Sequence, residues 1–408
     1  MALTQVRVKF NGPWTVLTYN AATGRYEGTI TPTATSAHQT GGYYTLEVEA
    51  TNATGQTTTL TGAQYKGLRL VVRETAAPTL TLVSPPAGYL TTGSPTFVFS
   101  AQDEAGGSGV DPSMANATID GAVVPCTVTQ SGAAYNITFA GNGLSDGPHV
   151  VSVRISDYDG NETTVSAAYT VDTVPPVLTV TAPDLHRVVD WTQVEVAGCA
   201  RDTTAGVASV TVSGNVVAVD SYGRFSTIVP LQVGGNEIQV KATDHAGLTS
   251  TKMVWMLRMI TDRTQADVDK VTALAAKAWA DFTAEEKAFW LGVVRGAYND
   301  SDMNRVGTAV EYIAGLMVDY GYSPAVDPKK NWTQTDIPTQ SQTETYLGNV
   351  SAIQALVPIA EPAVPPDMEN FTFGEANDIE TILVQADQLF PLMERSVIYS
   401  GEGFAGEF

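Results

Sequence analysis

The chain has 408 residues, 43 acidic against 22 basic side chains and a net charge of −21, with a hydrophobic fraction of 43% that is ordinary for globular protein. That length exceeds one core and predicts three or four domains. The acidic bulk reads as solubility and argues against nucleic-acid binding, which needs a basic face to meet phosphate.

The opening Met1-Ala2-Leu3-Thr4-Gln5-Val6-Arg7-Val8 has no apolar leader and goes straight into an alternating strand. No later stretch approaches the ~18 apolar residues of a membrane helix. The expectation is a chain made in the cytoplasm without signal peptide or membrane insertion. Strands are predicted around 6–10, 14–19, 26–30, 43–50 and 68–72, separated by turn signals such as Asn11-Gly12-Pro13. This first segment carries six basic against four acidic side chains over 1–76 and is rich in aromatics.

One phrase then recurs three times: Leu46-x-Val48-x-Ala50 with Gly55, Val151-x-Val153-x-Ile155 with Gly160, and Ile238-x-Val240-x-Ala242 with Gly247. Each is an alternating strand, a polar turn and a Thr-rich return strand. The glycines lie 105 and 87 residues apart, so the repeating unit is a small domain. Proline-led openings at Pro78 and Pro175-Pro176 mark the boundaries and stiffen the junctions. The domains read as 1–75, 76–174 and 175–258. The loops Asp103 to Ser108-Gly109-Val110 and Asp202 to Gly206-Val207, with the Val171-Asp172-Thr173-Val174-Pro175-Pro176 junction, resemble bacterial and viral Ig-like domains across about 78–257. The first segment shares the hairpin but not the opening strand. Cys126 and Cys199 fall in separate repeats and read as small buried hydrophobes.

From Thr261 the period changes to about 3.6. A helix is predicted from about 265 to 282 with a Thr261/Asp262/Thr264 start, and a second from the Thr283-x-x-Glu286 capping box to about 294. A third, capped by Asp300, Ser301 or Asp302, ends at Gly321. A fourth starts with Pro338 in its first turn, and a last one carries Ile379, Ile382 and Leu383 and is kinked or ended by Pro391. Trp279, Phe289, Trp290, Trp332 and Phe390 read as core. This α-helical domain spans 259–398, and residues 399–408 read as an extended tail. From Arg258 onward 23 acidic face 10 basic side chains, a net of −13.

Four phrases in this region, Tyr298-Asn299 with Asp302-Met303-Asn304-Arg305, Trp332 with Asp336-Ile337-Pro338, Ala376-Asn377-Asp378-Ile379-Glu380, and Tyr399-Ser400-Gly401-Glu402, resemble tail-associated structural proteins of phages and prophages of Gram-positive hosts. The resemblance covers about 258–408 and implies a virion component of the tail, tail tip or fibre, with other tail proteins and copies of itself as partners.

Candidate chemistry is sparse. Asp157, Asp159 and Asn161 have the alternate spacing that calcium ligands use, with Asp103 and Glu104 as a facing loop; the competing reading is a plain hairpin turn. Trp14, Tyr19, Tyr43 and Tyr44 are candidates for a glycan- or partner-binding face, weighed against packing. Adjacent Tyr43 and Tyr44 must point to opposite faces. Tyr399, Phe404 and Phe408 are candidates for assembly contacts. The four histidines are isolated in sequence, and His245 reads as a solvated hairpin tip; no metal-protease, phosphate-loop or nucleophile-elbow motif is present.

The expected architecture is therefore mixed: three tandem Ig-like β-sandwiches, then an all-α C-terminal domain with an extended tail. The expected role is non-enzymatic and without a cofactor, calcium being the one candidate ion, in a virion that adheres to a host receptor or glycan. The alternatives are a bacterial surface Ig-repeat adhesin and a capsid decoration protein.

Overall fold

A computed structural model describes residues 2–31, 43–183 and 187–396, with side chains to residue 390. The chain divides into two compact units, Met1–Val174 and Pro175–Phe408.

The first segment forms one antiparallel sheet in the order Arg25–Glu27, Trp14–Asn20, Leu3–Lys9, Glu47–Asn52, Thr57–Thr61, beside a two-stranded ribbon of Tyr44–Thr45 and Arg69–Leu70. Val6 and Val8 are buried on one face of its central strand. Arg7 and Lys9 lie on the other, opposite Glu49 and Glu47. An Ig-like β-sandwich, atypical in its opening strand, was expected here. Among the described residues only Val6, Val8 and Tyr44 form the segment's buried apolar set, too little to hold a second sheet face to face.

Residues 79–171 do form two facing sheets. One pairs Thr127–Ser131, Ala134–Ala140, Thr96–Gln102 and Thr79–Ser84; the other pairs Ala122–Val124, Val110–Ile119, Gly147–Asp157, Glu162–Val171 and Gly88–Leu90. Phe97, Phe99, Ile137, Val151, Val153 and Ile155 are fully buried between them. Residues 177–258 repeat the plan, with Val177–Ala182, Gln193–Arg201 and Arg224–Pro230 against a sheet whose central strands are Gly234–Asp244 and Thr249–Arg258. In both, the opening strand ends at a proline, Pro85 or Pro183, which has no N–H to continue the ladder. The chain then crosses to the opposite sheet, where Gly88–Leu90 and Val188–Val189 pair in parallel with Glu162–Val171 and Thr249–Arg258.

The repeated phrase has one physical basis. Asn52, Asp157 and Asp244 each occupy the position three before the turn glycine. Each accepts, through Oδ1, the backbone N–H four residues on: Gln56, Asn161 and Leu248 at 3.0, 2.8 and 2.9 Å. Gly55, Gly160 and Gly247 close the turns at φ of 80°, 93° and 91°, where a side chain is strained.

Five helices complete the second unit: α1 Gln265–Ala275, α2 Ala284–Leu291, α3 Asp300–Asp319, α4 Gln340–Gln354 and α5 Phe373–Ser396. Several differ from the sequence reading. α1 stops seven residues short of Phe282, because Phe282 turns inward, 7% exposed, to meet the rings of Trp279 and Trp290 at 5.1 and 5.7 Å. α2 ends before Gly292 and not at Val294. The cap of α3 is Asn299, whose Oδ1 accepts Ser301 N–H at 2.9 Å while Asp302 returns to Asn299 N–H. Thr339 caps α4, so Pro338 precedes the helix. α5 runs through Pro391 to Ser396. Trp332 and Phe390 are core as expected, whereas Trp279 is 49% exposed and Phe289 and Trp290 are half-buried. Cys126 and Cys199 are only partly buried.

Met303, Val306, Val310, Ile313 and Met317 of α3 pack with Val350 and Ile353 of α4 and Ile379, Ile382 and Leu383 of α5. Val188, Leu257 and Met259 from the preceding sandwich belong to the same core. Gly307 lets α3 approach residue 329, since a Cβ there would lie 2.4 Å from Lys329 O.

Candidate functional site

The four candidate aromatics of the first segment do not form one face. Trp14 pairs with Lys9 across the sheet, and its ring lies under the Arg7 guanidinium at 4.6 Å. Tyr19 is 55% exposed and packs on Tyr26 at the sheet edge, 5.3 Å between centroids. It stands two residues from Leu17, which pairs with Val6, so it lies on the opposite face from Trp14. Tyr44 is buried against Phe10, and half-buried Tyr43 lies under Arg69 at 4.1 Å. The adjacent tyrosines do diverge, but Arg69 covers the outward one. Exposed Tyr19 with Tyr26, and Trp14 with Arg7, remain as two small separate aromatic surfaces.

The expected calcium ligands are rearranged. Asp157, 2% exposed, spends both oxygens on Asn161, accepting its N–H at 2.8 Å and its side-chain NH₂ at 2.7 Å. Asp159 accepts the Glu74 N–H at 3.0 Å. Asp159 and Asn161 thus build the turn and tie it to residue 74. The carboxylates that converge are instead Glu74, Asp103 and Asp157, each with an oxygen within 4.8 Å of the others. Glu104 joins them: the point where Gly107 would carry a Cβ lies 2.5 Å from Asp103 Oδ2, 2.6 Å from Glu74 Oε2 and 3.0 Å from Glu104 Oε1. Ser108 and Gly109 donate backbone N–H groups to Glu74 and Asp103. Glu74 Oε2 and Asp103 Oδ1 are buried with no hydrogen-bond partner among the described residues. Burial, and then the Glu104 carboxyl, raises the pKa of Glu74; burial does the same to Asp103. Hard oxygen donors of this kind fit a calcium ion. Glu74 was invisible in the sequence, because it belongs to the connecting segment and not to the loop motif.

Two of the phrases singled out in the helical region converge. Arg263, Asp302, Arg305 and Glu380 are all at most 5% exposed. Arg263 Nη2 donates to Asp302 at 2.8 Å and to Glu380 at 2.6 Å. Arg305 donates to Glu380 through Nε at 3.0 Å and Nη2 at 2.6 Å, and also to Asp302. Burial opposes the Arg305 charge, but Glu380 and Asp302 outweigh it and hold its pKa above the usual value. Asn377 accepts Arg263 N–H and returns its NH₂ to Arg263 O, both at 3.0 Å. Asn304 clamps the backbone of Trp332 in the same two-way fashion, at 2.7 and 2.9 Å. Glu380 also accepts Ile260 N–H, and Asp387 accepts the N–H groups of Arg187 and Val188. Two guanidinium groups against two carboxylates make a neutral clasp between the end of the sandwich, α3 and α5. It holds structure and offers no free acid or base. Arg263 and Asp387 were missed in the sequence reading; an arginine just before an apolar-periodic helix was the available signal for the first.

His149 is buried, with Nδ1 on Asp120 at 2.7 Å and Nε2 on Ser145 O at 2.8 Å. His245 is exposed at its hairpin tip, as expected. His38 and His186 lie outside the described residues, as do Tyr399, Phe404 and Phe408.

Residues 176–258 match the family model for domain B of glucodextranase. No curated protein sequence matches the chain. Among solved structures, the fibronectin(III)-like modules of Clostridium thermocellum CbhA align at 18% identity over 44% of this chain and 94% of theirs, TM-score 0.31. A 1.5-MDa bacterial ice-binding adhesin aligns at 21% identity over 63% of this chain and 87% of its own, TM-score 0.27. The SGBP-B protein of a Bacteroides ovatus mixed-linkage glucan utilization locus, solved with a heptasaccharide, aligns at 15% identity over 63% and 60%, TM-score 0.18. Among the described residues no helix is long and apolar enough to cross a membrane.

Proposed function

We propose that this chain is a non-enzymatic structural and binding protein of a phage virion, part of the tail, tail tip or fibre. In this reading 259–408 is the assembly element, and the β modules meet the host envelope, including its glycans. The observation that carries it is the clasp. Residues of two phrases that resemble the phage tail proteins, far apart in sequence, build with Arg263 one buried network that joins a sandwich to the helices. A neutral, fully enclosed weld between an adhesive module and an assembly module suits a part that transmits load. Weak contacts from exposed Tyr19 or the Trp14 face gain strength by repetition over many copies. Mass spectrometry of particles purified from the host should find the chain at a fixed ratio to tail proteins. Its absence from particles, with the chain recovered on the bacterial surface, would move the assignment to an adhesin.

The candidate calcium, sought in sequence at Asp157, Asp159 and Asn161, fits better at Glu74, Asp103 and Asp157, with Glu104 beside them. The two partnerless buried oxygens support that placement.

A further inference from the structure

Beside the clasp, between the starts of α1 and α5, the second unit holds a cavity of about 280 Å³. Gly296 builds one wall of it. A Cβ there would lie 2.0 Å from Asp267 O, so the chain before α3 runs hard against α1 and carries Arg295 to the cavity. Val268, Tyr298, Phe371 and Phe373 make much of the lining apolar and aromatic, with Tyr298 and Phe371 edge to face at 4.9 Å.

Two arginines, Arg263 and Arg295, line the same cavity. Arg263, 4% exposed, spends Nη1 on Ile260 O at 2.7 Å and Nη2 on Asp302 and Glu380. Its Nε–H is buried with no acceptor among the described residues. Arg295 donates through Nη2 to Asp262 O at 2.7 Å and to the Asp262 carboxylate, and its Nε–H is likewise buried without an acceptor. The acids at these helix starts are committed elsewhere. Asp267 Oδ2 accepts the N–H and the hydroxyl of Thr264, both at 2.8 Å, and Glu375 Oε2 accepts those of Thr372 at 2.7 and 2.8 Å. A buried donor left unmade is costly, and a guanidinium bonds an ionised oxygen about twice as strongly as a neutral one. α5 opens at Phe373 in the cavity wall, which adds the positive end of its dipole. Two open cationic donors beside aromatic rings select an anion with a flat apolar body.

We propose that this cavity binds a small aromatic carboxylate, whose oxygens accept the two Nε–H groups while its ring lies among Tyr298, Phe371 and Phe373. The site is independent of the virion assignment. The test is isothermal titration calorimetry of the full chain at constant ionic strength, with benzoate as probe, benzamide as its neutral counterpart and inorganic phosphate as an anion without a ring. Benzoate should bind at one site per chain, and benzamide and phosphate should each bind at least about tenfold more weakly. Arg295→Met, with its circular dichroism unchanged, should weaken benzoate at least about tenfold. Val268→Phe, which fills the cavity and leaves both arginines in place, should abolish binding by a separate route. A native chain that does not bind benzoate, benzamide or phosphate bound as tightly as benzoate, or native affinity in both variants would overturn the proposal.

Discussion

At the scale of single residues, the clasp and the His149 pair make opposite predictions about charge. Removing Arg305 strands Glu380, 0% exposed, next to a single remaining guanidinium. Breaking a buried pair from one side costs about 3–5 kcal/mol. Arg305→Met should therefore lower the unfolding free energy of the second unit by that amount in a denaturant titration, whereas the exposed Arg154→Met, which loses only the surface pair with Glu162, should change the unfolding free energy of the first unit by less than about 1 kcal/mol. His149 behaves differently because it titrates. Donation to Ser145 O, and then to Asp120, raises its folded pKa, against a smaller penalty of burial. Its contribution is complete below the unfolded histidine pKa and is lost as pH rises through the folded value. The melting temperature of His149→Gln should accordingly fall below that of the native chain at pH 5.5, with the gap narrowing toward pH 8.5. A gap that widens with pH would contradict the assignment of both ring nitrogens as donors.

At the scale of elements, the turn after each repeated strand and the cap before each helix carry the local stability. Asn299→Ala should cost about 1 kcal/mol, read as a lowered denaturation midpoint, because two N–H groups of the first turn of α3 lose their acceptor. The acidic junction of Glu74, Asp103 and Asp157 gives a ligand-dependent prediction. Raised carboxyl pKa values mean that ionisation is disfavoured in the folded protein, so without a cation this junction weakens as pH rises through those values. Calcium should raise the melting temperature of the first unit at pH 7 and lose that effect at acid pH, and Asp103→Asn should abolish the response. No calcium shift at pH 7 in the native protein would remove the metal from the account.

Much of this scale was legible in the chain itself. Alternation and the triple Gly turn give the strands, and the Thr283 box sits where sequence puts the start of α2. What was not legible is long-range. The ring contacts that stop α1 early join residues in different elements, and Glu74 reaches the Asp103 loop from a connecting segment. Trp14 and Tyr19 are separated by strand parity, which the bare list of aromatics conceals. Tyr43 looks like a binding ring until Arg69 is placed over it.

At the scale of the whole molecule, the joint between the last sandwich and the helices is a shared core. Val188, Leu257 and Met259 lie with α3 and α5. Residues 175–408 should therefore unfold in one transition, with the β and α signals of circular dichroism moving together. A separate earlier helical transition would show that the clasp does not couple them. The same core means that a cut at residue 257 exposes apolar surface, so the last sandwich and the helices are not independently folding parts. The most direct test of the account is immunogold labelling of purified particles with antibodies to residues 1–174, combined with an adsorption assay. The account predicts gold on the tail and adsorption reduced in proportion to bound antibody. Unlabelled tails, with the protein found free or on the bacterial surface, would contradict it.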